Sequence, residues 1–164
     1  MPPSTTVPAL ATALACAVLL CACASAQKPA EGISDAALQP REHVEELSAD
    51  GLFAFGRADI ARGGNGPLDA LATTLADGRQ VVGVQVVGHS DRIGTDRVNL
   101  ALSARRAEAV RDYLVARGVA ASLISAEGRG SSEPVVECTR ERGPALIACL
   151  APNRRVEIRA VYVD

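Results

Sequence analysis

The sequence predicts a two-layer α/β sandwich, with a mixed sheet carrying its helices on one face. Three observations lead there. Residues 81–87 and 154–163 are rich in β-branched and alternating apolar residues. Segments with helical apolar spacing lie between the extended ones. Their order reads β-α-β-α-β-β, so crossover helices join strands of one sheet.

Leu52, Phe53, Ala54 and Phe55 are read as a short first strand closed by Gly56. Gly63, Gly64, Gly66 and Pro67 punctuate a loop, and Pro67 suits the first turn of a helix. Leu68, Leu71 and Leu75 form one face of that helix, which should stop at Asp77-Gly78. Val81 to Val87 is a nearly continuous apolar run, the pattern of a central strand covered on both faces. Thr95 or Asp96 can cap a long helix reaching about Arg117, with Gly118 as its stop. Ile124 to Glu127 is a short strand. In the last strand Val156, Ile158, Ala160 and Tyr162 share one side.

Charge is confined to one part of the chain. None of the 17 basic and 19 acidic residues lies in residues 1–26. Residues 7–26 are apolar and end in small residues, as a secretory signal does. Cleavage after Ala26 gives a soluble product. Leu20-Cys21-Ala22-Cys23 offers a bacterial lipobox with lipid on Cys23, and an uncleaved membrane anchor is the third reading. Residues 27–42 mix Pro, Gly, Ala and charge without period and read as a linker. Cys138 and Cys149 are the cysteines outside the leader. In an exported chain an even pair reads as a disulfide, the alternative being two buried thiols. The net charge of −2, with both signs interspersed, argues against nucleic acid. With no Trp, two Phe and two Tyr, the chain cannot build a base-stacking or sugar-stacking platform.

The chemistry gathers after the central strand, in Gly88-His89-Ser90-Asp91-Arg92-Ile93-Gly94. Open α/β sheets bind ligands beyond the carboxyl ends of their strands, which is where Asp91 falls. On the next helix Leu102, Arg106, Val110 and Leu114 are four apart, so Arg106 stands on an apolar stripe. Asn99 shares that face about two turns earlier. A buried Arg needs a partner. Either Arg106 pairs internally with Asp91, or the two form a zwitterion clamp. In the clamp Asp91 takes an ammonium and Arg106 a carboxylate. His89, Ser90 and Asp91 are consecutive and cannot converge as a catalytic triad. His89 and Asp91 offer two metal ligands and no visible third. No nucleophile elbow, phosphate loop or Cys-x-x-Cys is present, and neither metal, cofactor nor enzymatic activity is expected.

These motifs have a familiar order. GHSDRIGTDRVNLALSARRAEAVRDYLVARGV, then ISAEGRGSSEPV, then PNRRVEIRAVYV resembles the OmpA C-terminal-like, peptidoglycan-binding domain over residues 47–163. The resemblance implies that Asp91 and Arg106 hold the free amino-acid end of meso-diaminopimelate in the murein stem peptide. Asn99 and Arg154 match positions lining the same pocket. Ser90 replaces the usual Thr, and Ala54 and Gly56 stand where the family often carries Asp or Asn. Cys138 and Cys149 match a disulfide of the porin-tail subset. The arrangement of leader, linker and single domain is similar to that of the peptidoglycan-associated lipoproteins. It implies a signal peptide over 1–22, a lipidated Cys23 and linker over 23–46, and the binding domain over 47–164. The implied partners are peptidoglycan, the membrane through the N-terminal lipid, and other envelope proteins. The implied place is the outer membrane, with the domain facing the periplasm. The alternatives are a flagellar-stator-like or other envelope module with an uncleaved anchor, and a domain that has lost murein binding.

Overall fold

The computed structural model describes residues 40–76 and 80–163. The leader, Cys23, the first part of the linker and the Asp77-Gly78 stop lie outside the described residues. The elements are β1 (Arg41–Ser48), α1 (Ala49–Leu52), α2 (Asn65–Leu75), β2 (Gln80–His89), α3 (Asp96–Ala116), β3 (Ile124–Gly130), α4 (Gly143–Cys149) and β4 (Arg155–Val163). The four strands form one sheet in the order β1-β4-β2-β3. β4 is antiparallel to both neighbours, and β2 and β3 run parallel. The sheet is therefore mixed, and α2 and α3 cover one face.

The core lies between that face and those helices. Val156, Ile158, Ala160 and Tyr162 of β4 meet it from the sheet, as their alternation predicts, together with Val84 and Val86 of β2. Leu68, Leu71 and Leu75 answer from α2, and Val110 and Leu114 from α3. Thr95 caps α3, its hydroxyl accepting from the Val98 N–H at 3.3 Å. Two glycines let α3 come close to the sheet. A Cβ on Gly88 would overlap the Ser103 carbonyl oxygen, and one on Gly128 would overlap the Ala104 backbone nitrogen. Ser103 is fully buried there and donates to the Leu100 carbonyl, while its hydroxyl oxygen accepts from the Gly130 N–H.

Three expectations need correction. The first strand is not 52–55. Ala49–Leu52 is a helical turn, Phe53 makes a lone bridge to Ile60, and Phe55 is exposed. Gly56, at φ +67°, turns the chain before a strand can extend. The strand that completes the sheet is Arg41–Ser48, paired along its whole length with β4. It covers part of the expected linker, so the ordered domain reaches back past residue 47. Its polar sequence hid it. Of its eight residues only Leu47 is buried, because an edge strand covered on one face by few neighbours needs little apolar patterning. Finally, β2 is buried on both faces only over Val86–His89. The loop after β3 causes this by folding over that end of the open face. Asn153 pins the loop, accepting from the Val135 and Val136 N–H groups and donating to the Val136 carbonyl.

Candidate functional site

Five segments converge beyond the carboxyl end of β2. Asp91 and Ile93 come from the loop after β2, and Asn99, Leu102 and Arg106 from α3. Asp50 comes from α1, Ile147 from α4 and Arg154 from the residue before β4. They enclose a crevice of about 120 Å³. Phe55 lies on its rim, 88% exposed.

Asp91 is held on both oxygens. Oδ1 accepts from the Ile93 N–H at 2.8 Å, and Oδ2 accepts from Arg154 Nη1 at 2.8 Å. Arg154 is the hub. Its Nε and Nη2 donate to Asp50 at 2.9 and 2.7 Å, and its Nη1 also donates to the Ile147 carbonyl at 3.1 Å. The hydrogen bond from Arg154 holds the Asp50 carboxyl below its ordinary range. Arg154 is driven upward, first by that same bond.

Arg106 is placed differently. It is 3% exposed, yet no carboxylate oxygen among the described residues lies within 4.0 Å of it. Its Nε donates to the Arg57 carbonyl at 2.9 Å, and its guanidinium carbon sits 5.2 Å from the centre of the Phe53 ring. Burial lowers its pKa, so its charge is kept at a cost. Of the two readings, an internal pair between Asp91 and Arg106 is absent, and Arg154 pairs with Asp91 instead. Asn99 lies in the crevice wall at 5% exposure, its Nδ2 without a hydrogen-bond partner. The Ser90 hydroxyl, also in the wall, has none either. All four residues singled out by sequence thus line one crevice. Asp50 and Ile147 join them unforeseen. Asp50 follows no apolar period, and Ile147 lies on a short helix inside the disulfide loop.

His89 faces away from this chemistry. It is 1% exposed, with Nε2 3.5 Å from Glu157 and Nδ1 3.9 Å from Glu133. Burial lowers its pKa from 6.5, and the Arg155 charge adds to that. Glu157 lies low despite burial, because Arg155 and Arg159 bond to it. The sign of the pH dependence follows. Below pH 6.5 the unfolded chain protonates this histidine more readily than the folded one, so stability falls with pH. It falls again below the carboxylate range, as protons are forced onto Asp50 and Glu157. Thermal unfolding from pH 8 to pH 3 should show a Tm declining on the acid side. His89→Gln should flatten the part nearest pH 6, and an unchanged slope there would contradict the assignment.

Cys138 and Cys149 are bonded to each other. With Glu141 they bring sulfur and carboxylate atoms within 4.8 Å, but the disulfide leaves no thiolate for a metal. The loop they close contains α4, whose Ile147 carbonyl receives Arg154. The Cys138 carbonyl accepts from Arg92 at 2.7 Å. Removing both thiols, as Ser, should cost about 2–3 kcal/mol by chain entropy. It should also weaken any ligand held in the crevice. Equal melting temperatures with and without reductant would refute the first statement.

The family model described as OmpA family matches residues 52–145. Outer membrane protein P5 of Haemophilus influenzae is 45% identical over 115 residues, covering 68% of this chain and 32% of that protein. Outer membrane protein A of Yersinia pseudotuberculosis is 47% identical over 116 residues, covering 68% and 33%. The chain thus spans about a third of the length of these curated relatives. Among solved structures, the cell wall anchor of the T6SS from Pseudomonas aeruginosa superposes with a TM-score of 0.59 at 33% identity, covering 77% of this chain and 88% of that one. The peptidoglycan-associated lipoprotein from Burkholderia pseudomallei gives 0.54 at 27%, covering 70% and 88%. By family model, sequence and fold alike, the chain belongs to the OmpA family.

Proposed function

We propose that this domain binds peptidoglycan non-covalently, taking the diaminopimelate of the stem peptide into the crevice. One observation carries the reading. Arg106 is a buried cation without an acid beside it, and it lines the same small crevice as the anion Asp91. A group bearing a carboxylate and an ammonium on one carbon complements that pair. Arg106 takes the carboxylate, Asp91 the ammonium, and the open Asn99 Nδ2 donates to the ligand. Arg154, four of its five N–H donors engaged by Asp50, Asp91 and Ile147, serves chiefly to orient the acids. The role is binding without a covalent step.

Lipid on Cys23, an outer-membrane location and a periplasm-facing domain complete the proposal. The names of the relatives support an envelope setting: outer membrane proteins, a cell wall anchor and a peptidoglycan-associated lipoprotein. The test is co-sedimentation with purified sacculi whose stem peptides contain diaminopimelate. The protein should pellet with them and be released by free meso-diaminopimelate. Protein left in the supernatant would refute the reading. Intact mass of the membrane-extracted protein tests the anchor, since an N-terminus at unmodified Gln27 or Met1 excludes lipid on Cys23.

A further inference from the structure

The crevice contains a carboxylate that none of the sequence motifs assigns to it. Asp50 meets Arg154 side-on, its Oδ1 accepting from Nε and its Oδ2 from Nη2. Asp91 Oδ2 accepts from Nη1 of the same guanidinium. That group is planar and rigid, so one residue holds two carboxylates at fixed positions around it. They differ in access: the Asp50 side chain is 46% exposed and that of Asp91 11%. Both keep acceptor capacity. A carboxylate oxygen has two lone-pair sites. Asp91 spends one on each oxygen, and Asp50 Oδ1 receives one hydrogen bond. Asp50 is also the acid that acts most strongly on Arg106, ahead of Asp91, without touching it.

The chain lacks an acid or amide on the segment that follows. Ala54 and Gly56 stand there, and Gly56 lines the crevice with no side chain.

We propose that Asp50 is a second ligand-binding acid, sharing the ligand's ammonium with Asp91 so that the crevice selects an ammonium and a carboxylate together. This rests on the peptidoglycan reading above. An ammonium carries three donors and no acceptor, and one half-occupied carboxylate cannot satisfy them all. Two acids on one guanidinium can. The competing role is positioning: Asp50 could serve only to aim Arg154 at Asp91.

The experiment separates the two by comparing ligands. Calorimetric titration would use two synthetic stem peptides, one with meso-diaminopimelate and one with its side-chain amine replaced by hydrogen. Wild-type protein should prefer the amine-bearing peptide by about tenfold or more. Asp50→Asn should cut that preference to about threefold, the affinity for the amine-bearing peptide falling more than that for the amine-free one. Asp50→Glu, which keeps the charge, should restore much of the preference. Asp50→Ser provides the same ratio should the Asn variant fold poorly. A preserved ratio overturns the inference, whether affinity for both peptides falls together or neither changes. Wild-type protein that binds neither peptide overturns the peptidoglycan reading and this inference with it.

Discussion

Arg106→Ala should abolish sacculus binding and leave a folded domain. In the free protein Arg106 neutralises no adjacent acid, so its loss strands no carboxylate. What disappears is one hydrogen bond to the Arg57 carbonyl, on an exposed residue, and the contact with the Phe53 ring. The cost of keeping that guanidinium buried disappears with it. These terms oppose one another, and a net change of about 1 kcal/mol is expected. Binding loses a charge-assisted contact in a site shielded from solvent. Truncating such a partner costs about 2–5 kcal/mol, a fall of roughly 30-fold or more in affinity. Arg106→Lys keeps the charge but not the planar fork, and should recover only part of it. Sedimentation with sacculi and thermal unfolding measure the two quantities on one sample. A folded Arg106→Ala protein that still pellets would remove the clamp from consideration.

Much of this site was legible in the sequence because α3 is long and periodic. Twenty-one residues of helix fix which side chains share a face, and Asn99, Arg106, Val110 and Leu114 all turn inward as their spacing requires. Leu102 is only half-buried and sits in the crevice wall, and Ser103 takes the closest approach to the sheet. A small residue between larger ones carries no periodic signal, so that packing was invisible. The partner of Asp91 was illegible for another reason. Helical spacing places a residue on a face but says nothing of a cation arriving 63 positions later in the chain, from Arg154 to Asp91. β1 escaped because an edge strand needs few apolar residues, and α4 because seven residues inside a disulfide loop are too short for a period to show. What local pattern determines was readable. What depends on contacts between distant segments was not.

Arg154→Ala should have the opposite signature, a large loss of stability. Arg154 and Asp91 are each 11% exposed as side chains, and their bond is 2.8 Å. Removing the guanidinium leaves Asp91 with the Ile93 N–H and deprives Asp50 of its only ion pair among the described residues. Breaking a buried pair by removing one partner costs about 3–5 kcal/mol, because the remaining charge has neither water nor a counterion. Asp50 is half-exposed and adds little, since solvent screens it. The total should fall near the lower end of that range, a drop of roughly 10 °C in Tm for a domain of this size. A second substitution identifies the cause. In the Arg154→Ala background, Asp91→Asn removes the stranded charge and should recover about half of the loss, whereas in wild-type protein the same change should destabilise. That reversal of sign requires the two side chains to be coupled. Additive effects would mean that Arg154 stabilises the domain by packing rather than by charge. Arg106→Ala with near-native melting and Arg154→Ala with low melting would together divide the two arginines of the crevice, one kept for the ligand and one for the fold.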